Sequence, residues 1–130
     1  MAILFGRAQF TVVRGTRWGD DVTITDRASG LPVSLVGVTG VMMRIRETID
    51  SPIILELSVA NTRLVLVNAA TGVLGVRVPS ATMLTFPEND HQKARYVYDA
   101  VIERTAGEYE AAINGTVIVL PQVTRPWATT

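Results

Sequence analysis

The stretch "ARYVYDAVIERTAGEYEAAINGTVIVLPQVTR", Ala94–Arg125, alternates residue types over two runs that are separated by "TAGE". In the first run Tyr96, Tyr98, Ala100 and Ile102 share one face, and Arg95, Asp99 and Glu103 share the other. A period of two is that of a strand with one side on a core and one in water. After the turn, Tyr109, Ala111, Ile113, Val117 and Val119 alternate with Glu110, Asn114 and Thr116. The two runs therefore predict a long antiparallel hairpin whose apolar sets both face inward.

Outward from this hairpin, alternation or short apolar runs continue along the chain, and no helical stripe appears. Strands are predicted at Gln9–Arg14, Asp21–Asp26, Gly40–Glu47, Ile53–Val59, Arg63–Val67, Gly72–Val78, Ala94–Glu103 and Tyr109–Leu120. The segments between them, "RASGLP", "DSP", "ANT", "NAATG" and "TAGE", supply the Gly, Pro, Asn and Asp residues that reversing backbone requires. One long connection, Pro79 to Gln92, has room for a helical turn at "SATML" before the polar loop "PENDHQK". The expectation is a single all-β domain over residues 1–130, an antiparallel sandwich of about seven to eight strands. Residues 1–8 and 121–130 fall outside the pattern as apolar-bearing terminal arms.

Composition bounds the function. Twelve Lys and Arg balance twelve Asp and Glu, so the basic footprint of a nucleic-acid or anionic-membrane binder is missing. Arg7, Arg14 and Arg17 form a local basic excess, expected to be solvated strand ends. Cys is absent and His91 is the single histidine, which leaves no thiol and one imidazole for a catalytic triad. His91, Glu88 and Asp90 lie close together in a polar loop but are too few for a zinc site, so no metal or cofactor is expected. Asp20, Asp21, Glu47, Asp50, Glu56 and Asp99 offer carboxylate pairs, yet three Tyr, three Phe and two Trp do not make a sugar cleft. Gly37, Gly40, Gly72 and Gly75 open no helix after a strand and read as turns and bulges rather than a phosphate loop. The sequon at Asn114 reads as ordinary strand. Met42 and Met43 are adjacent and so face opposite ways, which aims one of them at a second apolar surface such as a neighbouring subunit. The apolar run in "MAILFGRAQF" is short for an export signal, and "GLPVSLVGVTGVMM" is shorter than the roughly 18 residues of a membrane span, so synthesis in the cytoplasm and no membrane partner are expected.

The C-terminal stretch, taken with "FTVVRGTRWGDDVTITDRASGLPVSLVGVTGVMMRIRE", resembles the N-terminal immunoglobulin-like domain of phage baseplate upper proteins. The match runs through Arg14-Gly15, Asp20, Gly30-Leu31-Pro32 and Met42–Arg46. It continues through Tyr96–Asp99, Gly107, Gly115–Val117 and Val123–Arg125. The resemblance implies an immunoglobulin-like sandwich and a non-enzymatic structural component of a tailed-phage virion, made in the bacterial cytoplasm. Its expected partners are other phage structural proteins and copies of itself, engaged through sheet edges and terminal arms. Ile3, Phe5 and Trp127 are the expected interface anchors, because aromatic and apolar side chains dominate contact energetics. The alternatives are a capsid decoration protein and a receptor- or carbohydrate-binding module of the tail, for which Trp18 would be an exposed platform.

Overall fold

A computed structural model of the chain describes residues 6–26, 28–87, 93–105 and 107–121. The strands are β1 (Gly6–Val13), β2 (Trp18–Thr23), β3 (Gly40–Arg46), β4 (Ile53–Ser58), β5 (Leu64–Asn68), β6 (Val73–Val78), β7 (Ala94–Thr105) and β8 (Glu108–Leu120). One helical turn, α1 (Ser80–Met83), follows β6 at the predicted "SATML". The strands form two sheets, a five-stranded one ordered β1-β8-β7-β3-β4 and a three-stranded one ordered β2-β6-β5. Neighbours pair antiparallel except β1 and β8, which run parallel. Apolar side chains from both sheets fill the space between them, and no polar or charged side chain is buried among the described residues. Phe10, Trp18 and Tyr98 meet at the centre, with ring centroids 5.3 Å apart for Phe10 and Trp18 and 5.5 Å for Phe10 and Tyr98.

β7 keeps strict alternation: Tyr96, Tyr98, Ala100 and Ile102 are buried, as the sequence predicts. β8 does not. Ala100 pairs with Ile113 and the next rung joins Val101 to Ala111, so Ala112 is an extra residue on the β8 side. Such a bulge adds one residue to one strand and reverses the facing of all that precedes it. Ala112 and Ile113 are consecutive and both buried, while Ala111 is exposed and Tyr109 is 62% exposed. The inward facing predicted for Tyr109 and Ala111 is thereby corrected. Beyond the bulge, Ile113, Val117 and Val119 are buried as expected.

β1 begins at Gly6 and pairs with β8 from Ile113 onward, so residues 6–8 of the expected arm belong to the sheet. β2 starts three residues before its predicted start because Trp18 pairs with Val78 on β6. It also ends three residues early. Ile24 leaves the ladder, donating its N–H to the Gly72 carbonyl at 2.8 Å and accepting from the Val33 N–H at 2.9 Å. This crossing requires Gly72: its φ is +72°, and a Cβ there would stand 2.3 Å from the Val33 carbonyl oxygen. Gly75 is neither turn nor bulge. It lies within β6, where a Cβ would come within 2.9 Å of Val65 and Val67 side-chain atoms, so its bareness lets those side chains close over the strand.

Candidate interaction surfaces

The register of the large sheet decides which side chains reach its outer face. β3 and β7 pair Gly40 with Glu103, Met42 with Val101, Arg44 with Asp99 and Arg46 with Val97. Residues directly opposite in an antiparallel pair point to the same side. Because Met43 and Ile45 are buried, Met42, Arg44 and Arg46 lie outward, together with Val101, Asp99 and Val97. β8 extends the same rows with Ala111, Asn114 and Thr116, and β4 adds Ser58 and Glu56. The result is a charged band, Glu56–Arg44–Asp99, flanked by more apolar ground on either side.

Two shallow hollows occupy that ground. One is lined by Met42, Val59, Val101 and Tyr109. The other lies beside the β3–β4 hairpin and is lined by Ile49, 83% exposed, and Val97 together with Arg44, Arg46 and Asp99. Within the band, the Arg44 Nε donates to Glu56 Oε1 at 3.1 Å. Asp99 has no hydrogen-bond or ion-pair partner among the described residues.

At the β7–β8 turn, Glu103 is held by two donors. Its Oε2 accepts from the Gly107 N–H at 2.9 Å and its Oε1 from the Thr39 hydroxyl at 3.1 Å. The Gly107 N–H first and the Thr39 hydroxyl second hold its carboxyl below the ordinary glutamate range; burial opposes them, and Tyr109 adds the smallest lowering effect. The bulge is what brings Tyr109 to this side.

Four strands are sheet edges: β1 and β4 in the large sheet, β2 and β5 in the small one. β4 and β5 each carry a register irregularity, and β2 presents Asp20 and Asp21, devices that discourage further strand pairing. β1 has an unbroken eight-residue ladder to β8 and no charged residue between Gln9 and Val13. Its far side pairs with no described residue.

Trp18 is 2% exposed, packed edge-on against Phe10, with its ring N–H donating to Asp20 Oδ2 at 2.8 Å. The exposed platform that the receptor-binding alternative would need is not there: the ring belongs to the core. Arg14 is likewise not a solvated strand end. It donates to the carbonyls of Phe86 at 2.7 Å and Leu84 at 3.2 Å, tying the β1–β2 turn to the segment after α1. Arg17 is exposed as expected. Ile3, Phe5, Trp127 and His91 lie outside the described residues. Asp21 pairs with Arg77 at 2.7 Å, and Glu47 and Asp50 are exposed in the β3–β4 hairpin. Among the described residues no three His, Asp or Glu side chains converge as a metal site would require. What these surfaces can do chemically is make contact, by backbone pairing at β1 and by side-chain packing on the outer sheet face.

No protein-family model matches the chain, and no curated protein matches it.

Proposed function

We propose that this chain is a non-enzymatic structural component of a tailed-phage virion, an immunoglobulin-like domain of the tail or baseplate that joins its neighbours by strand addition. The observation that carries this is the open edge of β1. Of the four described edges it is the longest, it has no bulge, and the apolar segment 2–5 leads directly into it. An edge of this kind is a template for another chain's strand, and in an assembly the template becomes a joint. The strand orders support the immunoglobulin-like assignment. Reading β2 to β8 as strands B, C, C′, D, E, F and G gives sheets B-E-D and G-F-C-C′, an order that supports this reading, with β1 beside G. The receptor-binding alternative loses its aromatic candidate with Trp18 in the core.

The test uses particles released by cells that encode the chain. Antibody raised against the purified protein should label tails or baseplates, and a chain lacking residues 1–5 should keep its urea midpoint yet enter particles poorly. The cut belongs at residue 5, because Gly6 and Arg7 pair with Ile113 and Asn114. Absence of the protein from purified particles would overturn the proposal.

A further inference from the structure

We propose that the outer face of the five-stranded sheet is a two-fold interface between two copies of this chain, in which Arg44 of each copy meets Asp99 of the other. This surface is distinct from the edges and arms above and stands whether or not the chain belongs to a virion.

The apolar content of the face is the first support. Among the described residues, four of the nine exposed large apolar side chains, Ile49, Val59, Val97 and Tyr109, line its two hollows. Such residues scattered singly need no explanation, but gathered on one face they mark a contact surface. Met42, half-buried on the same face, is the outward member of the Met42–Met43 pair, whose other member is fully buried in the core.

The pattern of charge identifies the occupant. An interface between identical copies uses the same patch twice, so each row must complement itself. Consider a two-fold axis lying in the interface, along the strands and between β3 and β7. It lays β3 of one copy over β7 of the other at the same level. Met42 then faces Val101, Arg46 faces Val97, and Arg44 faces Asp99, each contact occurring twice. Packed sheets cross at about 30° because each is twisted, so outer rows diverge while contacts near the axis stay aligned. Arg44 and Asp99 are the rows nearest the centre. Arg44 spends one N–H on Glu56, and its guanidinium has further donors in the same plane; Asp99 has no partner among the described residues. The second copy supplies the missing half of each.

The size is adequate. Four strands about 4.8 Å apart and four outward positions along each make a footprint of roughly 20 by 25 Å. With side-chain relief counted, that is the scale of a standard interface, about 800 Å² of accessible surface per partner.

Sedimentation equilibrium of the full chain should show a monomer–dimer equilibrium. Arg44→Asp and Asp99→Arg should each weaken self-association at least about a hundredfold, since symmetry gives each variant two like-charge contacts. An equimolar mixture of the two variants should recover a dimer. In the mixed pair the carboxylate introduced at position 44 of one chain faces the guanidinium introduced at position 99 of the other, while the unaltered Asp99 faces the unaltered Arg44. That recovery cannot come from within one chain, where both variants keep their like-charged neighbours. If a charge-reversed chain fails to fold, Val97→Lys, at a position already 37% exposed, should give an unchanged circular dichroism spectrum and a monomer. A wild-type chain that stays monomeric, a mixture no better than its components, or assembly that survives every variant would overturn the inference; the last would assign self-association to the strand edges instead.

Discussion

β7 and β8 are partners over their whole length, yet they obey different rules. β7 places every second side chain in the core from Tyr96 to Ile102. β8 does so only from Ile113 onward, because Ala112 is inserted between the rungs Ala100–Ile113 and Val101–Ala111. The same period of two is thus a complete account of one strand and half an account of the other. The difference has a consequence for the surface. Without the extra residue, Tyr109 would share the face of Ile113; with it, Tyr109 stands beside Glu103 on the outer side of the sheet.

The regular strand gives the largest expected effect. Tyr98 is buried and packs its ring on Phe10, whereas Asp99 points out. Tyr98→Ala should cost about 3–5 kcal/mol, the range for deleting a buried aromatic ring. Asp99→Ala should stay within about 0.5 kcal/mol in urea titrations run at dilution, where self-association does not contribute. Equal losses from the two substitutions would break the facing assigned to β7.

The bulged strand gives the next largest. Strict alternation from Ile113 puts Ala111 inside and Ala112 outside; the structure has them the other way round. Ala112→Asp should therefore cost about 3 kcal/mol, the penalty of burying a carboxyl with no partner. Ala111→Asp should change stability by no more than about 0.5 kcal/mol. The reverse ranking would remove the bulge and return Tyr109 to the core.

This contrast also explains what the sequence could and could not reveal. All eight strands and the helical turn were legible, because each has a local period or a turn signal of its own. The phase of residues 109–111 was not, since an alanine pair gives no mark of which residue is surplus. Trp18 could not be placed from its polar neighbours Arg17, Gly19, Asp20 and Asp21, and its pairing with Val78 and packing on Phe10 make it interior. Arg14 could not be separated from other strand-end arginines, because its carbonyl acceptors lie some seventy residues further on. That one of Met42 and Met43 faces outward was legible from their adjacency, but only the structure shows it to be Met42. The Arg44–Asp99 row was not legible, as it depends on the register between β3 and β7, which no local pattern encodes. The anchors Ile3, Phe5 and Trp127 fall outside the described residues and do not enter the comparison.

The smallest effect concerns the turn that joins the two strands, and it is read as a pH dependence. Glu103 closes the turn by accepting from Gly107 and Thr39, and Tyr109 adds to the same effect only because the bulge turns it outward. These donors favour the carboxylate, so its folded pKa lies below the unfolded value. A group of this kind contributes stability that is fully present above the unfolded glutamate range, about 4.3, and is lost as pH falls through the lower folded value. Tyr96 has the opposite sign. Burial first, with Glu47 second, pushes its hydroxyl above the ordinary value of 10.0, so its contribution is complete below that value and fades as pH rises past it. Glu103→Gln keeps the shape and removes the charge. The urea midpoints of the wild type and this variant should differ modestly at neutral pH, converge below about pH 4, and run parallel in alkali, where the Tyr96 contribution fades in both. A gap that persists unchanged into acid would mean that the carboxylate does not hold the turn, and that the bulge alone sets the geometry at this end of the hairpin.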